Sequence, residues 1–185
     1  FRLADSLPRE ALAKLDAELQ RCSADIPICP SSHSSPSPSM AQLKHDLDRE
    51  RRKQIESFLD RGTGACWLKD ERIATAACTA LKFFDGERYD LHEWVVMPNH
   101  IHALVRPINN FTLSAILQSW KLKITTDANK ILGKTGQRFW QPESFDRVIR
   151  DDNEMLRVRR YIRRNPVKAS LCIKEDQWKW SSAAM

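Results

Sequence analysis

His100 and His102 are separated by one apolar residue in the run Met97-Pro98-Asn99-His100-Ile101-His102. Successive side chains on a strand point to opposite faces, so both imidazoles would project to one side while Ile101 enters the core. Two imidazoles on one sheet face can hold a divalent cation. About sixty residues later, Tyr161-Ile162-Arg163-Arg164-Asn165-Pro166 supplies a nucleophile and a candidate third ligand. On a helix, Asn165 would sit one turn from Tyr161. Such parts suit a metal ion that polarises a phosphodiester while a tyrosine attacks it. The bland alternatives are a solvated sheet face for the histidines and a helix-terminal role for Asn165.

These residues need elements to hold them. Arg88–Met97 and His100–Arg106 are β-rich runs joined through Pro98-Asn99, which predicts a hairpin. Helices are expected over 70–84, capped by Asp70 and stopped at Asp85-Gly86, and over 112–132. A short edge strand is expected at Arg138–Gln141. The tyrosine helix is expected over 151–164, because Pro166 disfavours helical conformation at Asn165. Met155, Val158 and Ile162 share its apolar stripe, while Arg157, Arg160, Tyr161, Arg164 and Asn165 fall on another face. Upstream, Leu7, Leu12, Leu15 and Leu19 suggest an amphipathic helix. Residues 26–39 form a Ser/Pro-rich loop or insertion, and 40–59 form a charged helix.

The 185 residues fit a single domain, 1–185, with a substantial core. The net charge of +6 is unevenly placed: Arg147–Lys168 holds eight basic and three acidic residues. Such a stripe suits a phosphate backbone, although solvated helix faces are also charged. Five scattered cysteines argue against a disulfide framework and fit a reducing cytoplasm. Cys22, Cys29 and His33 do not make a zinc pattern, since no second ligand pair follows. No membrane span or signal peptide is visible.

Two blocks, Trp94-Val95-Val96-Met97-Pro98-Asn99-His100-Ile101-His102-Ala103-Leu104-Val105 and Tyr161-Ile162-Arg163-Arg164-Asn165-Pro166-Val167-Lys168-Ala169, resemble the signatures of the single-tyrosine HUH transposases. Phe139-Trp140-Gln141 and Trp178-Lys179-Trp180-Ser181-Ser182-Ala183 resemble the REP-associated tyrosine transposases within that superfamily. The resemblance covers about half the chain, from Glu87 to Ala183. It implies an α+β fold, with a ferredoxin-like or RRM-like antiparallel sheet and helices on one face, of which Phe1–Leu3 would keep only the end of the first strand. It implies Mg²⁺ or Mn²⁺ bound by His100, His102 and Asn165, and cleavage of single-stranded DNA through a 5′-phosphotyrosine on Tyr161. The implied partner is a DNA hairpin, the implied setting the bacterial cytoplasm and nucleoid, and the chain either a homodimer or a monomer. Arg157, Arg160, Arg163, Arg164, Lys121 and Lys123 are candidate contacts to the DNA backbone. Trp140, Trp178 and Trp180 could stack on bases or close the core. An inactive or domesticated hairpin-binding module is the competing reading.

Overall fold

In the computed structural model the described residues are 61–184, apart from 63, 142, 143 and 145, with scattered positions between 13 and 59. Chain contacts form two compact units, Leu7–Arg61 and Gly62–Met185 with Phe1–Ser6. In the first unit the described positions from 13 to 59 are helical, in keeping with the charged helix expected over 40–59. The expected strand end at Phe1–Leu3, the Ser/Pro segment and the Cys22, Cys29 and His33 group lie outside the described residues.

The second unit is organised around a hairpin of β1 (Tyr89–Val96) and β2 (Ile101–Pro107). Val96 pairs with Ile101 and Val95 with His102, and the Met97 N–H to His100 carbonyl bond closes the turn around Pro98-Asn99. The strands separate two apolar clusters. Trp94, Val96 and Ile101 join one core with α1 (Glu71–Lys82) and α2 (Leu113–Leu132). Val95, Met97 and Leu104 form the other with Ile162 of α3 (Asp152–Lys168). The α+β class therefore holds. Two helices share one face, and the tyrosine helix covers the other.

Local chemistry explains the boundaries. Asp70 accepts a hydrogen bond from the Arg72 N–H at the start of α1, and Thr112 accepts from Ala115 at the start of α2. Gly133, at φ 64°, closes α2 in the left-handed conformation that a side chain would strain. Tyr89 ties three elements together, donating to the Leu81 carbonyl at 2.8 Å and accepting from Trp120 Nε1 at 2.9 Å.

Two expectations need correction. The tyrosine helix does not stop before Pro166 but runs to Lys168, with Pro166 buried inside its last turn. Proline removes one N–H there, and the turn still closes through the Ala169 N–H to the Asn165 carbonyl at 3.0 Å. Arg138–Gln141 forms no strand among the described elements; Phe139 and Trp140 instead enter the first core.

The edge of β1 away from β2 is met by the chain's last turns. Val95 makes an antiparallel bridge to Ser181, and the Val96 N–H donates to the Trp180 carbonyl at 2.9 Å. Trp178 Nε1 donates to the Val96 carbonyl at 2.9 Å. Of the three tryptophans, Trp140, 6% exposed, donates to the Lys121 carbonyl inside the fold, whereas Trp178 and Trp180 are half-buried and meet edge to face with ring centroids 5.1 Å apart.

Candidate active site

Strand alternation places His102 on the sheet face that α3 covers, and His100 follows the same parity at the hairpin turn. Their rings stand edge to face, with centroids 4.7 Å apart. His100 is almost fully buried, and its Nδ1 lies 2.7 Å from Oδ1 of the equally buried Asn99. With Asn99 as acceptor, the imidazole proton is held on Nδ1 and Nε2 becomes the basic nitrogen. Asn99 is thus a supporting residue that the spacing of the histidines alone does not reveal.

Tyr161 projects from α3 onto His102, ring centroids 5.4 Å apart and planes near perpendicular. Its ring packs against the second apolar cluster rather than standing out among the arginines. Tyr161, Asn165 and the apolar stripe flank one another on the sheet-facing side of the helix, so the expected division into an apolar face and a chemical face was too sharp. The Tyr161 hydroxyl oxygen is buried, as are both polar atoms of the Asn165 amide and Nε2 of His102. His102 Nε2 and the Asn165 amide have no hydrogen-bond partner among the described residues. Burial pushes His102 down to about 3, with the Lys168 charge adding to the effect, so its ring is neutral near pH 7.

A divalent cation fits this donor set. Neutral imidazole nitrogens and an amide oxygen are metal ligands, and buried polar atoms left without partners are what a missing ligand leaves behind. Among the described residues, no group of three or more His, Cys, Asp and Glu side chains gathers to hold a metal. The candidate ligands are two histidines and an asparagine, a different combination.

The arginines of α3 divide into two sets. Arg157, Arg160 and Arg164 are exposed, and all lie within a turn of Tyr161. Arg164 Nε is 3.9 Å from Glu175, a loose surface pair. Arg163 differs: its Nε is 3.4 Å from Glu93, a carboxylate with 3% of its side chain exposed. Arg159, which the sequence did not single out, donates to the same carboxylate through Nε at 3.0 Å and Nη2 at 2.9 Å. The two lysines lie on α2, which packs with the first core. Lys121 Nζ reaches the Gln141 carbonyl at 3.5 Å, with partial burial lowering its pKa, and Lys123 pairs with Asp127 at 3.1 Å.

A histidine pair at the start of a strand thus faces a tyrosine on a helix laid across that strand. The family model for IS200-like transposases matches residues 66–165, more than half of the chain, and the protein belongs to that family. It is also similar to an uncharacterized protein of Haemophilus influenzae, with 27% identity over 109 residues covering 46% of this chain and 57% of that one. A solved structure of a REP-associated tyrosine transposase bound to a REP hairpin aligns with a TM-score of 0.49 at 23% identity. That alignment covers 62% of this chain and 65% of the other. The chain therefore spans less than two thirds of the length of either relative.

Proposed function

We propose that this chain cleaves and rejoins single-stranded DNA at hairpin sequences through a covalent tyrosine intermediate, as a member of the REP-associated branch of its family. The observation that carries the reading is the juxtaposition of Tyr161 with His102, beside a buried Asn165 amide that has no partner among the described residues. His100, His102 and Asn165 would hold Mg²⁺ or Mn²⁺, which when bound supplies Lewis-acid stabilisation of charge on the scissile phosphate.

The remaining steps belong to the chain's own groups. Tyr161 loses its phenolic proton to solvent and its oxygen attacks phosphorus. The bond to O3′ breaks, O3′ takes a proton, and the products are a free 3′-hydroxyl and a 5′-phosphotyrosine. An ordinary tyrosine has a pKa of about 10, so the phenolate needs help near neutral pH. Arg157, Arg160 and Arg164 are near enough along the helix to bring positive charge and hold the DNA backbone. The phosphotyrosine conserves the bond energy, so the 3′-hydroxyl of another strand can reverse the attack and join DNA without a nucleotide cofactor. His102, neutral at physiological pH, keeps a lone pair available as a ligand.

The reading is tested with hairpin oligonucleotides labelled at either end. The expected result is a 3′-side fragment linked to the protein through its 5′-phosphate and a released 5′-side fragment ending in a free 3′-hydroxyl, with the modified peptide mapping to Tyr161. Hairpin binding without either product would leave a DNA-binding module.

A further inference from the structure

The bulge in β1 redirects one carboxylate. Leu91 pairs with Val105 and Glu93 with Leu104, so His92 is the extra residue between them. Residues two apart on a regular strand share a face, yet Leu91 packs on the first core while Glu93 turns toward α3. There it is 2% exposed and engaged on both oxygens. Arg159 donates twice to Oε1, while Ser182 Oγ donates to Oε2 at 2.6 Å with Arg163 nearby at 3.4 Å. Three segments distant in sequence, β1, α3 and the last turns of the chain, meet on this carboxylate.

We infer that Glu93, together with Arg159, is a positioning residue that fixes the register of the tyrosine helix against the histidine strand; this rests on the function proposed above. An ion pair on a buried carboxylate is weak evidence for stability, because desolvation of Glu93 consumes much of the attraction. It does specify geometry. Arg159 and Tyr161 are two residues apart, about 200° around the helix, so they grip opposite flanks of α3. Sliding the helix by one residue displaces its side chains by about 1.5 Å. It would break the two-pronged Arg159 contact and carry Tyr161 away from His102. Displacement of a reacting group by about 1 Å can cost about a hundredfold in rate.

The test compares the wild type with Glu93→Gln and Arg159→Lys, which keep size or charge while weakening the fork. Three quantities are measured: single-turnover rate of covalent adduct formation at saturating hairpin with Mn²⁺, hairpin Kd, and the NMR shift of the His102 ring protons. The Tyr161→Leu spectrum calibrates the ring-current contribution of Tyr161 to that shift. We expect the rate to fall by about tenfold to a hundredfold, with Kd within about twofold of wild type. The His102 shift should move toward its Tyr161→Leu value. Unchanged rate and shift in the folded variants overturn the inference, as does weakened Kd with an intact rate, which would make Arg159 a DNA contact. If Glu93→Gln loses its folded spectrum, Arg159→Lys decides by the same criteria. If the wild type forms no adduct, the proposed chemistry fails by itself, and the His102 shift alone decides whether the register lock exists.

Discussion

Leaving a buried polar group without a partner costs about 1–3 kcal/mol, and Asn165, 1% exposed, carries two atoms with none among the described residues. Packing or helix capping does not account for keeping an amide there. The backbone of Asn165 closes the helix end through its carbonyl, which any residue would supply. Replacing Asn165 with the similarly branched leucine should therefore raise the melting temperature while abolishing DNA cleavage. Thermal unfolding followed by circular dichroism, alongside a cleavage assay, checks both halves. A lower melting temperature would mean that the amide is satisfied in the resting protein. His102 contributes the same kind of observation, an imidazole kept neutral by burial with Nε2 lacking a hydrogen-bond partner among the described residues.

The elements that carry these residues rest on a few local devices. Asp70 caps α1 and also binds the Arg72 guanidinium, which holds its carboxyl down at about 2 from the usual 3.8. A carboxylate whose folded pKa is depressed gives stability that is present above 3.8 and fades as pH falls through about 2. Asp70→Asn should flatten the decline of melting temperature over that acidic window, its deficit being present above the window and vanishing below it. The Tyr89 hydroxyl links α1, β1 and α2, and Tyr89→Phe would strand the buried Trp120 N–H. We expect a loss of about 1–3 kcal/mol in a urea titration. The hairpin, the Asp70-capped α1, the extent of α2 and the shared facing of His100 and His102 were all legible in the sequence. Period-two alternation, capping residues and a Pro-Asn turn are local signals. The helix running past Pro166 was not, because one lost hydrogen bond is tolerated in a last turn buried by tertiary contacts. Nor was the role of Glu93: a bulge reverses the facing that alternation assigns, and nothing in the local sequence marks His92 as the extra residue. Arg159 was hidden for the same reason, its partner lying 66 residues away.

For the molecule as a whole, charge placement separates binding from chemistry. Among the described residues no helix is long and apolar enough to cross a membrane. The excess positive charge is concentrated on and just before the tyrosine helix. Arg157, Arg160 and Arg164 should govern affinity, since Arg159 and Arg163, though exposed as well, are paired with Glu93. Replacing each of these three with alanine should weaken hairpin binding and reduce the slope of log affinity against log salt by about 0.7–0.9. Lys121→Ala and Lys123→Ala should leave that slope unchanged, because both lysines already hold contacts of their own beside the first core. Fluorescence anisotropy across a salt series distinguishes these outcomes. An equal slope change at the lysines would place DNA across α2 as well.

In the proposed reaction Tyr161 becomes covalently joined to DNA. The most direct measurement incubates labelled single-stranded hairpin DNA with the wild type and with Tyr161→Phe, with and without Mn²⁺ or Mg²⁺, followed by a denaturing protein gel. A labelled protein band that requires the metal and is absent in Tyr161→Phe is the expected result. A band that persists in Tyr161→Phe, or none from wild-type protein that binds the hairpin tightly, would contradict it.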